Sequence, residues 1–124
     1  MKYVIDTNIV IDHLRGDPTA TRFLEDVERG TRQATISVIT EFELLAFPRL
    51  TPAVQRQITA LLALLPKLSV TSAIARAAAA FHRSYQTDMA DALIAATALR
   101  AHATLVTRNL KHFRPIRELH VVGL

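Results

Sequence analysis

Met89-Ala90-Asp91-Ala92-Leu93-Ile94-Ala95-Ala96-Thr97-Ala98-Leu99-Arg100-Ala101-His102-Ala103-Thr104-Leu105-Val106-Thr107-Arg108-Asn109 is the stretch that decides the fold. From Met89 to Ala101 the residues are apolar nearly all round a helix, the pattern of a central helix sandwiched between other elements. Thr104-Leu105-Val106 behind it reads as a core strand of β-forming residues. A buried helix running into a buried strand is a unit of a layered α/β fold.

Outward from this unit the chain alternates in the same way. Tyr3-Val4-Ile5 is a short buried strand that ends at Asp6-Thr7-Asn8, residues that favour turns and helix caps, and a helical turn follows around Ile9 to Leu14. Thr19 begins a helix to about Arg29, on which Ala20, Phe23, Leu24 and Val27 recur at three-and-four spacing before Gly30 stops it. Ala34 to Val38 is a second strand, feeding a helix from Ile39 to Phe47 that Pro48 ends. Pro52 opens a helix with Val54, Ile58, Leu61, Leu62 and Leu65 on one face, and Pro66 closes it. A short strand at Leu68 to Val70, an Ala-rich helix from Ser72 to Tyr85 and a last strand from Leu119 to Val122 complete the list. No hairpin dipeptide such as Asn-Gly joins two strands, so the sheet is expected to be mainly parallel with helices on both faces. Residues 1–124 are read as a single domain without repeat or linker.

Composition removes several classes of function. With no cysteine, disulfides and thiolate-bound zinc, haem or iron–sulfur centres are excluded. No run approaches the roughly 18 uncharged apolar residues of a membrane span. Asp6 interrupts any signal-peptide core, so a cytoplasmic location is expected. Lys and Arg exceed Asp and Glu by 15 − 11 = 4, and 12 of the 15 are Arg, which leans toward a polyanionic partner such as nucleic acid. The three glycines form no Gly-x-x-x-x-Gly-Lys-Ser/Thr, Gly-x-Gly-x-x-Gly or Gly-x-Ser-x-Gly motif, which removes support for nucleotide-fuelled, Rossmann and serine-hydrolase readings.

What carries chemistry is a set of carboxylates that each interrupt an apolar run. In an open parallel sheet ligands bind outside the carboxyl ends of the strands. Asp6 stands there after the first strand, Glu43 lies early in the helix after the second, and Asn109 follows the strand Thr104 to Val106. Asp6 reads equally as a helix N-cap. Glu41 and Glu43 are separated by geometry: at roughly 100° per residue the apolar set Ile39, Phe42, Ala46 and Phe47 centres about 40° from Glu43, while Glu41 points away. A carboxylate on an apolar face needs a cation, a donor or a raised pKa, and a salt bridge to an arginine would also satisfy Glu43. Asp88 and Asp91 lie three apart at the start of the central helix. Both suit a helix N-terminus, and Asp88 or Thr87 suits the cap itself, whereas the face of Asp91 continues into the core through Ile94, Ala95 and Ala98. Oxygen ligands without Cys or a paired-His motif indicate Mg²⁺ or Mn²⁺ rather than zinc. His13, His82, His102, His112 and His120 have no metal-ligand spacing.

Asp6-Thr7-Asn8, Ile36-Ser37 to Thr40 with Glu43-Leu44-Leu45, Asp91 through Leu99, and Leu105-Val106-Thr107-Arg108-Asn109 with Phe113 together resemble the PIN-domain ribonucleases, especially the VapC-type toxins of prokaryotic toxin–antitoxin pairs. The resemblance runs the whole chain, with the motifs in the family's order and spacing. It implies a three-layer α/β/α fold around a parallel sheet, an acidic pocket for one or two Mg²⁺ or Mn²⁺ ions, and endonucleolytic cleavage of RNA. A homodimer, a small cognate antitoxin and a hetero-oligomer with that antitoxin on its operator DNA are also implied. Asp6, Glu43 and Asp91 match the three core acids and are the implied metal ligands. Asn109 falls where many relatives have a fourth acid and others Asn. Thr107 and Asn8 stand as supporting polar groups. One departure is plain: where relatives often carry an acid before Phe113, this chain has His112, and Asp88 is the available substitute as an outer ligand.

The expected activity is therefore metal-assisted phosphodiester hydrolysis on single-stranded or loop RNA, with Thr107 and Asn109 orienting water or the scissile phosphate. Arg108, Arg114 and Arg117 are candidates to guide the RNA backbone, or are simply solvated charge. A PIN-fold binding module acting mainly through its antitoxin complex is the alternative, favoured by His112 and Asn109. A phosphatase using Asp6 as nucleophile lacks the second Asp expected at position 8, which is Asn. The apolar stripes of Ile39 to Phe47 and Val54 to Leu65 suit a partner helix, a second copy or internal packing alike.

Overall fold

The computed structural model describes residues 1–124. Five strands alternate with helices: β1 (Lys2–Ile5), α1 (Thr7–Leu14), α2 (Pro18–Glu28), β2 (Gln33–Ser37), α3 (Val38–Leu45), α4 (Pro52–Leu64), β3 (Lys67–Leu68), α5 (Ser72–Tyr85), α6 (Met89–Arg100), β4 (Thr104–Thr107), α7 (Leu110–Phe113) and β5 (Val121–Gly123). Every strand pair is parallel and the order across the sheet is β3-β2-β1-β4-β5. The chain winds outward from β1 through β2 to β3, then returns to lay β4 on the other side of β1. That reversal opens a crevice at the carboxyl ends of β1 and β4.

Period-two alternation divides the core in two. Val4 and Leu105 face α5 and α6, while Ile5, Ile36 and Val106 face α1, α2 and α4. The result is the expected three-layer α/β/α arrangement. On α6 six side chains from Ala92 to Ala98 are buried, so the helix has no solvated long face, as its sequence requires. Small side chains such as Ala78 and Ala92 let α5 and α6 approach closely. No helix is long and apolar enough to cross a membrane.

The elements differ from their sequence reading in several places. Val38 starts α3 rather than ending β2, because Ser37 caps the helix through its hydroxyl on the Ile39 amide. β3 is only Lys67–Leu68, and β5 runs Val121–Gly123 while Leu119 is core before it. The short α7 was not foreseen, since four residues carry too little periodicity to read. It is held by Phe113, which is completely buried, and truncation to Ala would cost about 3–5 kcal/mol. Finally, α3 does not turn Phe42, Ala46 and Phe47 inward: Phe42 is 69% exposed, and the buried positions are Thr40 and Leu44. The inner face of α3 borders the polar end of the sheet at one end and the core at the other, so its two residues at zero exposure are Thr40 and Leu44.

Candidate metal centre and active site

Asp6 leaves β1 at its carboxyl end, where it is both a helix cap and a buried acid. It is the N-cap of α1, its Oδ1 accepting from the Thr7 amide at 2.8 Å, and it is a buried acid at 3% exposure. Register explains its second partner. Ile5 lies opposite Val106, so the next residues, Asp6 and Thr107, stand side by side, and the Thr107 hydroxyl donates to Asp6 Oδ2 at 2.7 Å. Thr107 Oγ1 in turn accepts from the Asn109 amide at 2.9 Å, which fixes the loop carrying Asn109.

Glu43 reaches the same place from α3. Its Oε1 accepts from the Thr7 hydroxyl at 2.6 Å, and Thr7 Oγ1 lies 2.9 Å from Thr40 Oγ1. A threonine has one proton; given to Glu43, it leaves Thr7 to accept from Thr40. No arginine or lysine pairs with Glu43, so its satisfaction comes from hydroxyls and not from the salt bridge left open above. Thr40 is the member of this network that sequence reading did not single out. The available signal was a Thr three residues before Glu43 on one helix face.

Asp91 enters from α6, about four-fifths buried, with Oδ2 3.3 Å from His112 Nδ1. Asp88 is exposed and is the N-cap of α6, its Oδ1 accepting from the Asp91 amide at 2.9 Å. His112 thus stands against Asp91 and adds no negative charge to the site. Asn109 is half-buried at the start of α7 without a side-chain capping bond, and Asn8 is half-buried in the first turn of α1.

The three acids sense one another. Burial raises the Asp6 carboxyl from 3.8 to about 6, opposed by the Thr107 hydrogen bond and reinforced by the charges of Asp91 and Glu43. Asp91 is raised as well, first by burial and then by Asp88, with His112 opposing and Glu43 adding to the rise. Yet no three acidic or histidine side chains stand close enough, as they are placed, to enclose an ion. The Thr107 and Thr7 hydroxyls each take one lone pair, of Asp6 and of Glu43, and leave the other lone pairs of these carboxylates available. An all-oxygen donor set of three acids that no arginine or lysine pairs suits a hard divalent cation, so these residues fit Mg²⁺ or Mn²⁺.

Arg108 is not a free cation. Its guanidinium bonds Asp17 Oδ2, and its Nε lies 3.7 Å from Asp12 Oδ2, tying the β4 loop to the α1–α2 turn. Asp17, which also caps α2 through the Ala20 amide, is held below its ordinary pKa by that amide and by Arg108. Arg114 and Arg117 are exposed.

With the fold and these acids in view, residues 3–118 match the PIN domain family. The chain belongs to the PIN domain family. Its relatives include Ribonuclease VapC19 of Mycobacterium tuberculosis (strain ATCC 25618 / H37Rv), 36% identical over 118 residues that cover 89% of this chain and 90% of the relative. Among solved structures, the toxin–antitoxin complex from Klebsiella pneumoniae superposes with a TM-score of 0.80 at 32% identity, covering 97% of this PIN chain and 95% of that one. VapBC2 from Rickettsia felis, bound to a DNA fragment from its promoter, gives a TM-score of 0.85 at 23% identity over 100% and 99% of the two chains. The resemblance to PIN-domain, VapC-type proteins is thereby borne out, and the parallel three-layer fold with it.

Proposed function

We propose that this PIN-domain chain is the toxin of a VapBC-type pair, a Mg²⁺- or Mn²⁺-dependent endoribonuclease acting through Asp6, Glu43 and Asp91. The observation that carries the reading is the convergence of three carboxylates, from the starts of α1 and α6 and from α3, at the crevice where the sheet reverses. Ribonuclease relatives that span most of both chains supply the reaction class.

A divalent ion bound by Asp6, Glu43 and Asp91 would supply Lewis acidity to an attacking water and offset charge on the leaving oxygen. This chain's own residues supply position. Thr107 and the Thr7 amide lock Asp6, Thr7 directs Glu43, and His112 steadies Asp91. Asn109, placed by Thr107, is the group that orients water or the scissile phosphate. Asp88 acts on the site as a cap and as a nearby charge.

The antitoxin is assigned to the outer face of α3 and α4, where Phe42, Leu45, Phe47, Val54 and Leu64 are exposed. Apolar side chains concentrated on two neighbouring helices suit an amphipathic partner helix. The toxin–antitoxin complex among the neighbours supports such a partner, and a homodimer bound with antitoxin to operator DNA completes the proposed assembly.

The spacing of the acids and the presence of Asn109 and His112 favour a second reading, a binding module of weak activity. Incubating the purified protein with mixed RNA in Mg²⁺, Mn²⁺ or EDTA separates the two. Metal-dependent cleavage that disappears in Asp6→Asn supports the enzyme; identical RNA profiles for both proteins reject it.

A further inference from the structure

A polar cavity of about 330 Å³ lies beside the carboxylates, where the α5–α6 turn faces α7. Tyr85, Gln86 and Thr87 line it from the turn, Lys111 and His112 from α7, and Asp91 belongs to its lining. The turn has a form that packing alone does not require. Gln86 ends α5 in the left-handed region, φ 57° and ψ 29°, where glycine or asparagine is the ordinary choice, and its side chain is exposed. Thr87 is 7% exposed and its hydroxyl has no hydrogen-bond partner, although buried hydroxyls nearly always find one. His82 Nδ1 donates to the Thr87 carbonyl at 2.6 Å and fixes the residue in place. Tyr85 is held at both ends, its ring against Phe81 and its hydroxyl donating to Glu118 at 2.8 Å.

We propose that this cavity is a nucleobase subsite, which takes the base of the nucleotide neighbouring the scissile phosphate; it rests on the ribonuclease reading above. The Gln86 amide carries both an acceptor and two donors, the inventory that tells one base edge from another. The orphaned Thr87 hydroxyl, turned about χ1, adds a second polar contact, and the fixed Tyr85 ring offers a face for stacking. Lys111, exposed on α7, meets the adjoining phosphate as a point charge. Another depression, about 440 Å³ between α5 and α6, is walled mainly by alanines, Met89 and Leu93; of its two polar members, His82 and Arg83, the first already gives Nδ1 to the Thr87 carbonyl.

Fluorescence anisotropy of the full chain in EDTA, with labelled oligoribonucleotides of A, of C and of U, tests the subsite without cleavage. One base is expected to bind about tenfold more tightly than the poorest, and Gln86→Ala and Thr87→Val each reduce that ratio to about threefold or less. Lys111→Gln weakens all three alike and lowers the salt slope by about one. Thr87→Val puts a methyl in the shape of an unsatisfied hydroxyl, so its melting temperature stays at or above wild type and a lost preference cannot be laid to unfolding. Equal affinities for the three oligomers, or an unchanged ratio in both Gln86→Ala and Thr87→Val, overturn the subsite. Adding Mn²⁺ to the same oligomers reads the ribonuclease activity separately. Cleavage that needs Asp6 with flat base preference sinks the subsite alone; preference that needs Gln86 and Thr87 without cleavage keeps a nucleobase site and sinks the hydrolysis.

Discussion

Asp6→Asn should stabilise the metal-free protein at neutral pH while abolishing cleavage. In the folded chain the Asp6 carboxyl titrates at about 6, against 3.8 for the free group. The folded state therefore holds this proton more tightly than the unfolded state, and stability falls as pH rises from about 3.8 to about 6, then levels off. With a shift of 6 − 3.8 = 2.2 and 1.36 kcal/mol per unit, the loss amounts to about 3 kcal/mol. Asn removes the ionisation and keeps the acceptor for the Thr7 amide, but turns the Thr107 hydrogen bond around. That last effect is the same at every pH, so it cancels when pH 4 is compared with pH 8. Urea unfolding in EDTA across this range should show Asp6→Asn gaining about 2.4 kcal/mol on wild type between the two ends, since about 0.6 of the roughly 3 kcal/mol is already lost by pH 4. A difference that stays constant to within about 1 kcal/mol would refute the claim that burial and the neighbouring acids hold Asp6 up.

Mn²⁺ at pH 7.5 should raise the melting temperature of wild type and shift Asp6→Asn far less, since the amide keeps an oxygen but loses the charge that attracts the ion; scanning fluorimetry reads it. Thr107→Val removes the donor to Asp6 and the acceptor for the Asn109 amide, so we expect a loss of about 1–3 kcal/mol in chemical denaturation and an Asp6 titration displaced upward by NMR. Arg108→Gln should cost stability and leave the salt slope of RNA binding unchanged, because the guanidinium is occupied by Asp12 and Asp17. Phe42→Asp should alter unfolding by no more than about 0.5 kcal/mol, given its exposure, yet abolish co-purification with the antitoxin.

Where a residue's role follows from period, the sequence made it legible. The all-round apolar character of Met89 to Ala101 announced a central helix, and α6 is one. The end of an apolar strand followed by Asp-Thr-Asn announced a strand–turn–helix corner, and Asp6 sits there as a cap. Of the two acids on α3, Glu43 is the one that bonds Thr7, but not for the reason that periodicity offered. The apolar residues used to orient α3 include Phe42, which faces outward, and what draws Glu43 inward is its contact with Thr7. Hydrophobicity marks a buried face only when the partner is the protein's own core; a helix that borders a polar crevice inside and presents apolar side chains outside inverts the signal.

The sequence by itself determined the alternation of strands and helices and the parallel sheet, and it drew attention to three acids, because those depend on local periodicity and on which residue types interrupt it. Only the tertiary structure decided how the acids are held. The Asp6–Thr107 contact joins residues 101 positions apart, and it arises because β4 returns to pair with β1 in the register that sets Ile5 beside Val106. Nor does composition say that Arg108 is occupied by Asp12 and Asp17, that His112 steadies Asp91, or that Thr87 has an orphaned hydroxyl in a cavity wall. Burial, hydrogen bonding and the field of neighbouring charges set the chemistry of a carboxylate, and all three are properties of proximity in space rather than of order along the chain.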